Sequence, residues 1–217
     1  MNRRQFILAG VAVGAASAFA IKPNDNGEAY SPYFSKLNHN LKNKGNYVPS
    51  MLVDLDLLDK NIAALKQQLN PNVDYRIVAK SLPSPSLLGY IMEKANTNRL
   101  MVFHQPFLTA LAIDYPQTDI LMGKPMPVKA AEVFYQKLPN DSQFNSSTQL
   151  QWLIDSKEKL EQYLALAQQQ NTLLQVNIEI DVGLHRGGLQ QAEELDALLE
   201  IIDNKSQYLT ILGFMVY

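Results

Sequence analysis

The sequence predicts an α/β fold in which repeated strand and helix units build a parallel sheet. From Met51 onward, short apolar runs with a period of two residues are followed by longer segments whose apolar residues recur every three or four positions. The strand-like and the helix-like patterns alternate along the rest of the chain. This is the arrangement expected when a helix joins each strand to the next parallel strand.

The predicted elements begin with a strand over 52–54 and a helix over 57–69, which Asp56 is well placed to cap. The apolar stripe of this helix consists of Leu58, Ile62, Leu65 and Leu69. The other predicted elements are strand 76–79, helix 86–94, strand 100–104, helix 107–115, strand 119–122, helix 128–137, strand 151–154, helix 157–169, strand 173–181, helix 190–202 and strand 211–216. Trp152, Met122 and Met126 are assigned to packing.

Residues 176–188, with the sequence VNIEIDVGLHRGG, combine a strand with a polar turn. Apolar and polar side chains alternate up to Asp181, and three glycines then interrupt the pattern before the next predicted helix. His185 and Arg186 lie in this turn. Binding and catalytic sites in α/β folds lie at such loops, so these side chains are candidates. The alternative is an ordinary loop whose charged side chains cap the helix or face water.

Lys80 and His104 each follow the apolar part of a predicted strand. A partly desolvated lysine at a strand end can attack carbonyl groups as a free amine, whereas a solvated end residue is the ordinary alternative. His104 and His185 are candidate proton carriers or metal ligands. The alternative for both is a histidine that is merely hydrogen-bonded near a strand end.

The first 20 residues have the features of a secretory signal peptide. Arg3 and Arg4 precede an apolar core, and Ala18-Phe19-Ala20 matches a small-x-small cleavage pattern. The Arg-Arg-x-Phe-Ile sequence predicts twin-arginine export, and therefore a periplasmic protein. The core is too short for a convincing membrane span, although an uncleaved anchor is the alternative. Residues 21–47 are polar and predict an extended linker.

Charge and composition narrow the range of partners. The net charge is −2 and there are no basic runs, which argues against nucleic acid and favours a small molecule. The chain contains no cysteine, so an exported form would depend on its core rather than on disulfides.

Three segments occur in a distinctive order: VPSMLVDLDLLDKNI at 48–62, Ala79-Lys80, and IEIDVGLHRGG at 178–188. Together they resemble the fold-type III pyridoxal-phosphate (PLP) enzymes, which have alanine racemase-like barrels. Within these, they are most similar to the D-threonine aldolase and D-serine dehydratase-like group. The resemblance covers roughly residues 47–217.

This resemblance implies a PLP site. Lys80 corresponds to the Schiff-base lysine and catalytic base, and Arg186 to the arginine that contacts the phenolic oxygen of the cofactor. Tyr217 occupies the place of a tyrosine that borders the cofactor, in a Gly-x-x-x-Tyr strand ending. His104, which ends the predicted strand over 100–104, is expected to bind the cofactor beside these residues. The family arrangement also allows a divalent metal, held by a C-terminal domain beyond Tyr217.

The implied function is PLP-dependent chemistry at Cα of an amino acid, with a D-amino acid as the expected substrate. Aldolase, dehydratase and racemase activity all remain open. The implied fold is an incomplete (β/α)8 barrel with about six of eight strands, while the strand over 52–54 belongs with the absent C-terminal β domain. The chain is therefore expected to be an N-terminal fragment, inactive by itself, of a protein that forms a homodimer.

Two departures from the group leave the substrate open. Residues 81–85 read Ser-Leu-Pro-Ser-Pro where the group has Thr-His-Lys-Ser-Pro, and Gly123-Lys124-Pro125 replaces Ala-Tyr-Pro. Two non-catalytic alternatives remain open. One is a PLP-binding homeostasis protein, and the other is an exported binding protein on a degenerate barrel.

Overall fold

The computed structural model describes residues 27, 29–45 and 47–216. The chain divides into two compact units, Met1–Val53 and Asp54–Tyr217. The described α-helices are α1 (Pro32–Lys44), α2 (Leu55–Gln68), α3 (Pro85–Ala95), α4 (Gln105–Asp114), α5 (Val128–Lys137), α6 (Ser146–Gln149), α7 (Lys157–Gln170) and α8 (Ala192–Asn204). The described strands are β1 (Ile77–Val78), β2 (Arg99–Val102), β3 (Asp119–Met122), β4 (Leu150–Ile154), β5 (Leu174–Ile180) and β6 (Leu209–Val216).

The first unit contains α1, a helix in a region where the sequence predicted an extended linker. The prediction is wrong for this stretch because the local helix signals outweigh its polar composition. Ser31 accepts a hydrogen bond from the backbone N–H of Phe34 at 3.5 Å, and a proline occupies the first turn. The predicted signal peptide, residues 1–20, lies outside the described residues.

The strand predicted over 52–54 does not form, because Asp54 starts a helix instead. Its Oδ1 accepts a hydrogen bond from the backbone N–H of Leu57 at 3.1 Å, which makes Asp54 the N-cap of α2. The prediction of Asp56 as the cap is therefore wrong, since Asp56 lies in the first turn of the helix. The alternation of apolar and acidic residues here reflects this capping arrangement rather than a strand.

The six strands form one parallel sheet in the order β1-β2-β3-β4-β5-β6. Each strand pairs with the next one along the chain, and helices lie in the connections between them. Right-handed crossovers that always advance in the same direction place these helices on one face of the sheet. The predicted α/β class and six barrel strands are therefore confirmed, as part of a (β/α)8 barrel.

The core lies between the sheet and these helices. Alternate residues of the strands are fully buried there, including Leu100, Val102, Ile120 and Met122. Trp152 is 1% exposed, and its ring lies 5.3 Å from that of Tyr163. The assignment of Trp152, Met122 and Met126 to packing is confirmed, since all three are buried.

The opposite face of the sheet carries a row of hydrogen-bonded polar side chains, which we call the polar ladder: Arg76, Asp119, Gln151 and Asn177. The Arg76 guanidinium donates to both carboxylate oxygens of Asp119, at 3.0 and 3.1 Å. The Gln151 amide donates to Asp119 at 2.8 Å, and the Asn177 amide donates to Gln151 at 2.9 Å. The polar ladder thus ties the start of β1 to β3, β4 and β5.

β6 lies at one end of the sheet order, and one of its faces is apolar and open. Leu212, Phe214 and Val216 are 50%, 57% and 59% exposed. Because an apolar strand at a sheet end pairs readily with other chains, we expect the 217-residue chain to self-associate when expressed alone. Light scattering should show assemblies that shrink when Phe214 is replaced by serine. A monodisperse wild-type monomer with a cooperative melt would contradict this expectation.

Candidate functional site

The candidate site lies at the edge of the sheet where the parallel strands end, which we call the carboxyl edge. Lys80 follows β1, His104 follows β2, and Arg186 follows β5. Since all six strands run in the same direction, these three residues share the carboxyl edge, as the sequence predicted. Tyr217, the fourth predicted site residue, lies outside the described residues.

Lys80 lies in a single 3-10 turn, Ala79–Ser81, that directly follows the two-residue strand β1. The turn is anchored by Ala79, which is fully buried, while Lys80 itself is exposed. The predicted strand over 76–79 is shorter than expected because the chain turns here toward Pro85, at the start of α3. The Lys80 amino nitrogen lies 4.9 Å from the centroid of the Phe103 ring, which is within the range of a cation–π contact.

Phe103 follows β2 and lies across the next strand end, at Gly123. A Cβ atom added to Gly123 would come within 2.4 Å of the tip of the Phe103 ring and 2.8 Å of Met101 Cγ. Gly123 is also held to β2 by a backbone hydrogen bond to Val102, at 2.8 Å. The glycine that distinguishes this chain at residues 123–125 therefore makes room for the ring under Lys80.

His104 occupies the N-cap position of α4 and is exposed. Its side chain makes no capping hydrogen bond, and its ring lies 5.9 Å from that of Phe107. A role for His104 in cofactor binding or proton transfer stays a prediction.

The loop after β5 is ordered by the carboxylate of Asp181. One carboxylate oxygen accepts hydrogen bonds from the backbone N–H groups of Gly183 and His185, at 2.9 and 3.0 Å. The other contacts His185 Nδ1 at 2.8 Å. The backbone bond from Gly183, followed by the contacts with His185, lowers the pKa of Asp181 to about 2. His185 is thus hydrogen-bonded within its loop, and a role as proton carrier or metal ligand stays a prediction.

Gly188 brings this loop back against β5. Its φ is +97°, and an added Cβ would lie 2.8 Å from the backbone oxygen of Glu179, so the position requires glycine. Leu189 then donates a backbone hydrogen bond to Glu179 and accepts one from Asp181, at 2.8 and 3.0 Å. Arg186 is therefore presented on a loop that is fixed at both ends.

Glu179 is a buried acid beneath this loop, and the sequence alone did not identify it as a candidate site residue. Its side chain is 5% exposed. Burial raises the pKa of Glu179, the nearby charge of Asp155 raises it further, and the charge of Arg186 opposes both effects. Glu179, Asp155 and Arg186 therefore form one electrostatic group. The available signal was the polar alternation within an otherwise apolar strand, at residues 177, 179 and 181.

An open cleft of about 860 Å³ lies away from this group, at the opposite edge of the sheet. Its lining includes Asn98 and Arg99, at the start of β2, and Thr118, just before β3. Lys80 and Arg186 are not among its lining residues. The described residues also contain no cluster of three or more side chains suited to holding a metal ion.

The family described as the N-terminal domain of alanine racemase matches residues 53–217. A search of curated proteins gave no match. Among solved structures, alanine racemase from Clostridium difficile 630 is similar, with a TM-score of 0.61 and 20% identity over 75% of this chain and 42% of that one.

Two other solved structures have the same fold. A mutant of D-threo-3-hydroxyaspartate dehydratase has a TM-score of 0.61 and 20% identity, over 82% of this chain and 46% of that one. D-threonine aldolase from Filomicrobium marinum has a TM-score of 0.58 and 16% identity, over 77% of this chain and 43% of that one. The chain therefore spans less than half the length of each structure. With a family match that includes all six strands, the chain belongs to the alanine racemase N-terminal domain family.

Proposed function

We propose that the full-length protein is a PLP-dependent enzyme that acts at Cα of an amino acid, with Lys80 as its Schiff-base lysine. The observation that carries this proposal is the placement of Lys80. It is an exposed primary amine on the turn after β1, at the carboxyl edge of an alanine racemase-type domain. Barrel enzymes place their reacting groups at this edge.

The surroundings of Lys80 support PLP as the cofactor in this proposal. The Lys80 amino group contacts the Phe103 ring and is in none of the described ion pairs, so an aldehyde can reach it. When bound, PLP supplies an aldehyde for attachment and a conjugated ring that withdraws electrons from Cα. In the proposal, Lys80 Nζ would be free once the amine of the substrate had taken its place on the cofactor, and it would then remove or return a proton at Cα.

Arg186 is the second cofactor-binding residue in this proposal, and Glu179 is the buried acid whose charge interacts with it. A guanidinium keeps its charge at any working pH, so Arg186 can hold the phenolic oxygen of the cofactor through a charge-assisted hydrogen bond. Burial raises the pKa of Glu179, and the positive charge of Arg186 opposes this effect, so the two side chains are electrostatically coupled. His104 and Tyr217 complete the proposed binding residues. His104 is proposed from its position at a strand end, and Tyr217 from the family resemblance.

Replacing Arg186 by leucine in the full-length enzyme should reduce turnover more than substrate affinity. The lost charge-assisted hydrogen bond is worth about 1.5–3 kcal/mol, or roughly ten- to a hundredfold in rate. The pH titration of the absorbance of bound PLP should also shift. Arg186→Lys, which keeps a charge but loses the planar fork, should retain part of the turnover. Normal turnover and an unaltered titration in Arg186→Leu would mean that Arg186 is only a surface residue.

The reaction type is the finer part of the proposal. The similar structures are a racemase, a dehydratase and an aldolase, and we propose a D-amino acid as substrate. Purified full-length protein with PLP should be incubated with D- and L-forms of alanine, serine, threonine and 3-hydroxyaspartate. Racemisation, keto-acid formation or aldehyde release would identify the chemistry. PLP binding without any turnover would favour the non-catalytic alternative.

Location and assembly are further proposals, which rest on the sequence. We propose export by the twin-arginine route to the periplasm and a homodimer at full length. None of the helices in the described residues is both long and apolar enough to span a membrane.

A further inference from the structure

We propose that Phe103, seated on Gly123, is the positioning residue for Lys80. Its ring face holds the lysine amino group at the carboxyl edge, in the place where the cofactor aldehyde must meet it. This inference rests on the proposed function and adds to it a residue that the sequence analysis did not assign.

The Lys80 amino group is in contact with the Phe103 ring. Lys80 is exposed and lies on a one-turn 3-10 segment, so its four-carbon side chain could adopt many rotamers in water. In the structure its amino nitrogen lies 4.9 Å from the Phe103 ring centroid, where an ammonium group is attracted to the aromatic face. The ring therefore favours one region for the amino group.

The Phe103 ring packs directly against Gly123. Phe103 is partly buried, and the tip of its ring fills the space above Gly123, where even a methyl group would approach to 2.4 Å. Gly123 is itself fixed to β2 by its hydrogen bond to Val102. Three consecutive strand ends, after β1, β2 and β3, are thus joined through Lys80, Phe103 and Gly123.

Gly123→Ala should disturb Lys80 without changing either Lys80 or the aromatic ring chemically. The new methyl group must push the Phe103 ring aside, so the alanine variant tests ring position, whereas Phe103→Leu tests ring presence. The effects of Gly123→Ala and Phe103→Leu on the reactivity of Lys80 should be strongly non-additive. Once the ring is gone, the alanine methyl group still crowds Met101 Cγ, at 2.8 Å, but it has no ring to displace, so it should change the behaviour of Lys80 little.

The experiment uses full-length protein and two readouts. In cofactor-free protein, acylation of Lys80 by an amine-reactive ester is measured by peptide mass spectrometry. In the second readout, the concentration of added PLP that gives half-maximal imine absorbance is determined. Phe103→Leu should increase Lys80 acylation about two- to fivefold, the range of an exposed cation–π contact, because the amino group is released from the ring. The PLP concentration should rise by a similar factor because the amino group is no longer positioned.

The control is Phe144→Leu, which removes a buried ring in the loop that connects α5 to α6 and should lower stability without changing either readout. If Phe103→Leu does not fold, Phe103→Met removes the ring while keeping most of the volume. Unchanged acylation and unchanged PLP affinity in folded Phe103 variants would overturn the inference, as would equal effects of Gly123→Ala with and without Phe103. If wild-type protein forms no imine, the proposed function fails, while the acylation ratio still decides the role of Phe103.

Discussion

Full-length protein with Lys80 replaced by alanine should lose both the absorbance of bound PLP and its turnover while remaining folded. Lys80 is exposed on a turn, so its removal should change the free energy of unfolding by no more than about 0.5 kcal/mol. Loss of the proton-transfer group alone lowers the rate by roughly 10²–10⁴-fold. Absorbance titration, turnover and thermal melting measure the three quantities.

Lys124→Ala is the matched control. Lys124 is also exposed and also lies at the carboxyl edge, just after β3, but the proposal gives it no role. This variant should keep PLP binding and turnover. If Lys124→Ala loses the cofactor and Lys80→Ala keeps it, the proposed site is assigned to the wrong strand end.

The largest expected effect on stability is that of Asp119→Ala. Asp119 is the central acceptor of the polar ladder, where it receives hydrogen bonds from Arg76 and Gln151. The side chains of Arg76 and Asp119 are 16% and 26% exposed, so the alanine variant would leave a largely buried guanidinium without its carboxylate. Its other terminal nitrogen would still donate to the backbone oxygens of Leu100 and Asp119. We expect a loss of about 2–4 kcal/mol in the free energy of unfolding, slightly less than for a fully buried pair.

Urea denaturation of the full-length protein would measure this loss. Asp203→Ala, on the exposed surface of α8, is the matched control and should stay within about 0.5 kcal/mol of wild type. A loss below 1 kcal/mol in Asp119→Ala would mean that the ladder is solvated and contributes little.

The periodicity of the sequence correctly predicted several elements of the fold. The helix at Val128–Lys137 and the strand at Asp119–Met122 have the predicted bounds, because apolar spacing and burial agree there. It failed where local capping decides the structure. Asp54 begins a helix that removes the predicted strand, and Ser31 begins α1 within a polar stretch that resembled a linker.

The candidate site shows the same division between local and long-range information. Lys80 and Arg186 could be placed at strand ends because each follows its own strand in the sequence. Phe103 could not be found in this way, since its contact with Lys80 depends on the pairing of β1 with β2. The charge interaction of Glu179 with Asp155 likewise depends on the pairing of β4 with β5.

The central claim is that Lys80 carries the cofactor, and the most direct measurement is reductive labelling. Full-length protein would be incubated with PLP, reduced with borohydride, digested and mapped by mass spectrometry. The proposed function predicts a single pyridoxyl-labelled peptide that contains Lys80 and is lost in Lys80→Ala. A label on Lys124 or another lysine, with Lys80 unmodified, would contradict the claim.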